Sequence, residues 1–251
     1  MTDTAAHPTS LTGSGSGPGQ PTRTEHDLLG ELPVPRSAYY GVHTARAREN
    51  FTATGRALSA YPAFVSALAA VKQAAALANA ETHQLDPDVA AAIVSACERI
   101  RAGDLLAEFV VDLVQGGAGT STNMNANEVV ANLALEILGE PRGSYHRVHP
   151  LDHVNRGQST NDVYPTALRV ALYQCATKVE RELVRLAEAC EGKAAEFRGV
   201  AKVARTQLQD AVPMTVGREF RVFAVTGPSG VTSFSRSLAA LLRPGRLRPV
   251  A

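Results

Sequence analysis

The chain has no tryptophan, only three cysteines, and an aromatic share of 5%. It also lacks an excess of either charge: 25 basic and 24 acidic side chains leave a formal net charge of +1. Each shortage excludes something. Cys97, Cys175 and Cys190 are an odd, scattered set without a CxxC spacing, which argues for reduced core thiols and against a disulfide framework or a zinc site. The balanced charge supplies no field that would attract nucleic acid or an anionic membrane surface. No apolar run approaches the roughly 20 residues of a membrane span. The N-terminus has no basic stretch followed by an apolar one, so a signal peptide is not expected and a cytoplasmic location is.

What is present is a chain of 251 residues, 45% of them hydrophobic, enough for a sizeable core in one large domain or two modest ones. Residues 1–24 are rich in Thr, Ser, Gly and Pro, bury too little apolar surface to offset their ordering entropy, and read as a disordered tail. Pro33 and Pro35 exclude a regular helix, so 31–56 reads as short strands or ordered loop. From Pro62 the period turns helical: Phe64, Leu68, Val71 and Leu77 mark a helix over 62–84. Asp86 and Pro87 open a second, which Gly103 stops. An apolar third helix is expected over 104–114. A fourth is expected over 125–138, with Asn125 and Glu128 as a capping box. The next helix, over 162–197, carries a heptad-like seam of Leu168, Leu172, Cys175, Val179, Leu183, Leu186 and Cys190. At about 50 Å it is too long for a small globule and belongs to a bundle or oligomer core. Residues 198–213 read as loop, and a last helix starts near Val216. After Thr226 the composition shifts to Arg, Pro and Gly without acidic residues.

Three segments are dense in small hydrogen-bonding side chains, each at or near a predicted helix start: 119–128, 158–162 and 205–210. Helix N-termini carry unpaired N–H groups and partial positive charge, so such clusters suit a carboxylate, and most of all one on which negative charge develops. Any one of them alone is also what an ordinary helix cap looks like. His43, His146, His149 and His153 have irregular spacing and read as structural or solvated rather than as metal ligands. The Gly116–Gly119 stretch lacks the Lys-Ser/Thr of a phosphate-binding loop.

At these segments a resemblance becomes specific. Thr120–Val129 (Thr-Ser-Thr-Asn-Met-Asn-Ala-Asn-Glu-Val) resembles the first substrate-binding segment of the fumarase/aspartase superfamily, and His153–Asp162 (His-Val-Asn-Arg-Gly-Gln-Ser-Thr-Asn-Asp) resembles the second. The region around Arg205–Thr215 and the stretch Pro35–Thr44 are similar to two more, so that the likeness covers about 27–226. Ala38–Thr44, Thr120–Asn123, Ser159–Asn161, Gln207 and Val212–Thr215 are similar to the aspartases where fumarases carry other residues.

The resemblance implies a mainly α fold: an N-terminal helical lyase domain over 25–157, then an incomplete central helix bundle over 158–226, with 227–251 as a tail outside the family. It implies anti-elimination of ammonia from L-aspartate to give fumarate, through a carboxylate bearing two negative charges, with no cofactor. It places Thr120, Ser159 and Thr160 on the β-carboxylate, and Asn161, Thr206 and Gln207 by the amino group. It implies a homotetramer with each site shared among subunits. It also implies a catalytic Ser in a Gly-Ser-Ser-x-x-Met-Pro-x-Lys-x-Asn loop, which nothing in residues 1–251 matches. Activity of this chain is therefore expected to be impaired. Fumarase activity and an inactive remnant or accessory subunit are the other readings.

Overall fold

The computed structural model describes residues 21–241. The chain divides into two compact units, Met1–Ala171 and Leu172–Ala251.

The first unit opens with an antiparallel hairpin, β1 (Thr22–Asp27) and β2 (Gly30–Pro35), in which Asp27 pairs with Gly30 across the exposed tip Leu28-Leu29. A short helix follows, α1 (Val42–Asn50). Next come α2 (Pro62–Glu81) and α3 (Pro87–Ala102), packed on each other as a helical hairpin. Both start on proline, whose missing N–H costs nothing in a first turn. Asp86 caps α3 by accepting from the N–H groups of Asp88 (2.9 Å) and Val89 (3.4 Å), and Gly103 ends it in the left-handed conformation at φ +113°. On α2, Phe64, Leu68, Lys72 and Ala76 recur every fourth residue, and all four are buried. Among the described residues α2 is the helix long and apolar enough to cross a membrane. Its stripe is spent on the core it shares with α3 and α4.

At the centre stands α4 (Thr120–Ile137), where every residue from Thr122 to Leu135 is buried. A helix covered on all sides cannot leave its polar residues to solvent, so each needs a partner inside the protein. Asn125 accepts from the N–H of Val110 (3.0 Å) and donates to the carbonyl of Glu108 (3.0 Å). Asn132 donates to the Tyr39 carbonyl (2.8 Å) and accepts from Gly143 (2.8 Å). Glu128 accepts from the N–H groups of Gly41 (2.8 Å), His43 (2.9 Å) and Thr44 (3.1 Å), and so caps α1 from across the fold. Burial pushes the Glu128 carboxyl above its ordinary pKa, and nearby Glu25 adds to this, while the donors pull it back.

The second unit holds most of α5 (Thr160–Glu196), an antiparallel hairpin of β3 (Ala201–Thr206) and β4 (Gln209–Thr215), and α6 (Val216–Leu241). The latter helix runs back along α5: Gly217 lies against Ala194 and Arg198, and Gly227 lies against Ala187. A Cβ on Gly217 would come within 2.5 Å of the Ala194 carbonyl, so only glycine allows this approach.

The mainly helical architecture agrees with the sequence reading, and several details correct it. Residues 104–114 are not a helix. They form one short turn, Leu106–Glu108, and then an extended stretch in which Asp112 pairs with Ala57. The Asp112 carboxylate there accepts from the N–H groups of Val114, Thr54 and Gly55 and from the Thr54 hydroxyl, all at 2.8–2.9 Å. Burial alone would raise its pKa, but these donors outweigh it and hold the carboxyl below the ordinary value. The fourth helix begins at Thr120, not 125; Asn125 and Glu128 are mid-helix residues with distant partners, not a capping box. Residues 42–50 are helical, and 201–215 form a hairpin instead of a loop. Residues 22–24 of the expected N-terminal tail belong to β1, and 1–20 lie outside the described residues. The first unit runs to Ala171, because Val163, Ala167 and Ala171 bury the start of α5 in the first core. The change of composition after Thr226 is no element boundary, since α6 continues to Leu241. The seam expected on α5 is largely exposed, with Leu172, Val179 and Leu186 at 46%, 50% and 60% of their surface.

Candidate functional site

The first turns of α4 and α5 meet in the first unit, and the sequence explains why each starts where it does. Gly119 precedes α4 at φ +84°, a conformation that favours glycine. A Cβ there would also fall inside the ring of Tyr164, which itself stands edge-on to Phe64 (5.3 Å, 87°). Gln115 then holds the helix start: its carbonyl accepts from the Thr122 N–H (2.7 Å) and its amide donates to the Thr122 hydroxyl (2.8 Å). On α5, the Ser159 hydroxyl accepts from the Asn161 N–H (3.3 Å), as a cap does. Pro165, five residues into the helix, has no N–H for the Asn161 carbonyl.

A pocket of about 390 Å³ lies between these starts, lined by Gln115, Gly117 and Gly119 on one side and by Asn161, Tyr164 and Pro165 on the other. Thr120 and Ser159 are exposed beside it, and Thr160 is half-buried. Asn123, one turn into α4, donates to the Thr160 hydroxyl at 3.1 Å and to the side-chain oxygen of Asn155 at 3.0 Å, tying the two helix starts together. The starts of two helices and the carboxamides of Gln115 and Asn161 thus border one cavity, with Thr120, Ser159 and Thr160 next to its lining residues in the chain. That is a set of neutral donors able to hold an anion without a counter-charge of their own.

Thr120, Ser159, Thr160 and Asn161 therefore share one unit. Thr206 and Gln207 belong to the other, at the tip of the β3–β4 hairpin. There Gln207 and Leu208 both adopt positive φ (48° and 64°), costly for residues with side chains. Of the four histidines singled out in the sequence, His149 has a clear structural task. Its ring accepts from the N–H groups of Leu151 and Asp152 (both 3.2 Å) at the start of a π-helical turn, Pro150–Val154. His153 accepts from the His149 N–H at 2.7 Å, and burial lowers its pKa.

Sequence reasoning missed three members of the network: Lys72, Asn123 and Asn155. A signal for Lys72 existed, because it falls on the fourth-residue stripe of α2 that is otherwise Phe, Leu and Ala. Its ammonium is fully buried and donates to the side-chain carbonyls of Asn155 (2.8 Å) and Gln158 (3.0 Å). Among the described residues no carboxylate pairs with it, and burial lowers its pKa to about 7.

The fold and these helix starts are those of a lyase, and the chain's relatives make this specific. Residues 30–242 match the family model described as Lyase, and the chain belongs to that family. Among its relatives are aspartate ammonia-lyases. That of Pseudomonas fluorescens is 56% identical over 204 residues, 81% of this chain and 43% of the relative. That of Escherichia coli (strain K12) is 48% identical over 221 residues, 88% of this chain and 46% of the relative. Among solved structures, a fumarate lyase:delta crystallin from Brucella melitensis matches with a TM-score of 0.86 and 54% identity, covering 88% of this chain and 51% of that one. A class II fumarase from Schistosoma mansoni matches with a TM-score of 0.81 and 36% identity, covering 88% and 46%. The chain spans less than half the length of these curated relatives.

Proposed function

We propose that this site belongs to an enzyme of the aspartase type, which eliminates ammonia from L-aspartate to give fumarate. The observation that carries the proposal is the junction of α4 and α5, where Asn123 joins the Thr160 hydroxyl beside a pocket bordered by two helix N-termini. Removing a proton next to a carboxylate loads that carboxylate with a second negative charge. Donors fixed in advance stabilise it more in the transition state than in the ground state. In this reading Thr120, Ser159 and Thr160 hold the β-carboxylate, and Asn161, Thr206 and Gln207 attend the amino group.

The identities of 48–56% to aspartate ammonia-lyases, against 36% to the Schistosoma mansoni fumarase, favour ammonia over water as the leaving group. The exposed apolar residues of α5 fit burial against further copies, as in a homotetramer. A cytoplasmic location fits its three free cysteines.

The test follows fumarate at 240 nm with L-aspartate and with L-malate, beside calorimetric titration with succinate, a dicarboxylate of the same length with no leaving group. The 251-residue polypeptide, with no segment matching the Gly-Ser-Ser loop, is expected to bind succinate saturably and to turn over neither substrate by itself. Turnover of malate alone would assign the site to the fumarases. Normal turnover of aspartate would place the proton acceptor among the residues present and overturn the roles of the six substrate-binding side chains. Absence of any succinate binding would sink the carboxylate reading.

A further inference from the structure

We infer that Lys72 is a positioning residue for dicarboxylate recognition, setting the donor direction of a buried hydrogen-bond relay that ends on the Thr160 hydroxyl. The inference rests on the reading that Thr160 contacts the substrate carboxylate.

The relay runs Lys72, Asn155, Asn123, Thr160. Below pH 7, where Lys72 carries its proton, the ammonium has three protons to donate and no lone pair. Lys72 is fully buried and reaches two side-chain carbonyl oxygens, those of Asn155 and Gln158. It therefore dictates which way the Asn155 amide turns: the oxygen faces the lysine, and the Asn155 nitrogen donates to the Gln158 carbonyl at 3.1 Å. That same Asn155 oxygen lies 3.0 Å from the Asn123 nitrogen, so Asn123 must also present its NH2 side. The NH2 group spends its other proton on the Thr160 hydroxyl oxygen. With that oxygen occupied as an acceptor, the hydroxyl proton is left to point away as a donor. A carboxylate needs a donor, and a hydroxyl of the opposite sense would repel it.

The other end of the Asn123 amide shows what this polarity costs. The Asn123 oxygen is buried without a hydrogen-bond partner. Turning the amide over would place its oxygen against the Asn155 oxygen, acceptor to acceptor, at about the distance where the nitrogen now sits. The orphaned oxygen is the cost of a relay driven from a donor-only end. Gln158 adds a brace: its nitrogen donates to the Val154 carbonyl at 2.9 Å, which steadies the segment just ahead of α5.

The test uses succinate as probe and calorimetry as readout, on the whole protein, with circular dichroism to establish folding. Lys72→Met keeps the length of the side chain and removes the donors. It is expected to weaken succinate binding about tenfold. Thr160→Val alone is expected to weaken it by a similar factor. In the Thr160→Val background, Lys72→Met is expected to do little more, because the lysine acts through that hydroxyl.

Succinate binding unchanged in folded Lys72→Met, with Thr160→Val weakened, overturns the role of Lys72 alone. Full multiplication of the two effects also overturns it, since a merely structural lysine would act independently. Binding unchanged in Thr160→Val overturns the carboxylate reading underneath. If Lys72→Met does not fold, Asn155→Leu decides, because it breaks the relay between Lys72 and Asn123 while leaving both in place. A severalfold loss supports the relay, and unchanged binding overturns it.

Discussion

A cation held in the core without an anion makes stability depend on pH in an unusual direction. The ordinary lysine value is 10.5, and burial brings Lys72 down to about 7. Between those values the unfolded chain binds a proton that the folded one does not, so stability rises with pH. Below pH 7 both states are charged and the full desolvation cost is present. Each pH unit is worth about 1.4 kcal/mol, so the whole interval amounts to about 5 kcal/mol. One neighbour cuts the window short. Cys97 on α3 faces Lys72, and burial pushes its thiol from 9.0 up to about 12. Above pH 9 the unfolded thiol ionises while the folded one cannot, and the two effects oppose each other. The clean gain therefore lies between pH 7 and 9 and is about 3 kcal/mol. His153, lowered from 6.5, adds its own smaller rise below that window. Urea denaturation of the protein at half-unit steps from pH 6 to 10 measures the slope, and Lys72→Met, which has nothing to titrate, should remove it. A flat profile in the parent protein from 7 to 9 would refute the reasoning, as would an equal rise in Lys72→Met.

Other outcomes follow from single contacts. Gly41→Ala should abolish stable folding or cost several kcal/mol, because its Cβ would come within 2.5 Å of the buried Glu25 carboxylate and 2.6 Å of the hydroxyl of the half-buried Tyr145; thermal denaturation measures this. Glu128→Gln keeps the shape but turns an NH2 group toward at least one of the N–H donors of Gly41, His43 and Thr44. The expected loss is about 1–3 kcal/mol per donor left unpaired, read from chemical denaturation. At the β3–β4 tip, Leu208→Gly should stabilise the hairpin by about 1 kcal/mol, since φ of 64° suits glycine and the leucine side chain is exposed; a lower melting temperature would contradict this.

Much of the fold is legible in the sequence, and the failures share a cause. The helical periods at 62–84 and 87–103, the cap at Asp86, the stop at Gly103 and the polar clusters at 119–128 and 158–162 are local signals, and the structure carries them. The start of α4 is misplaced by sequence because Thr, Ser and Asn ordinarily sit at caps. Here they are helical residues whose partners come from far along the chain: Glu128 reaches Gly41, His43 and Thr44 across 84–87 positions. The apolar run 104–114 reads as helix, but Asp112 draws it into an extended path by binding Thr54 and Gly55. The β3–β4 hairpin has no glycine at its turn, so nothing in Thr206–Gln209 announces a reversal of chain direction. Lys72 lies on a visible stripe, yet its role depends on Asn155 and Gln158, which are 83 and 86 positions away.

The burial of α4 on all sides has one further consequence. Its N-terminal turn borders the pocket, while its body is the central post of the first core. A ligand that tightens the first turn therefore tightens the post, and binding should be readable far from the pocket as slower amide hydrogen exchange along Thr122–Leu135. At a hundredfold excess over Kd the linkage amounts to about 2.7 kcal/mol. Occupancy and fold stability are, in this unit, measured by the same helix.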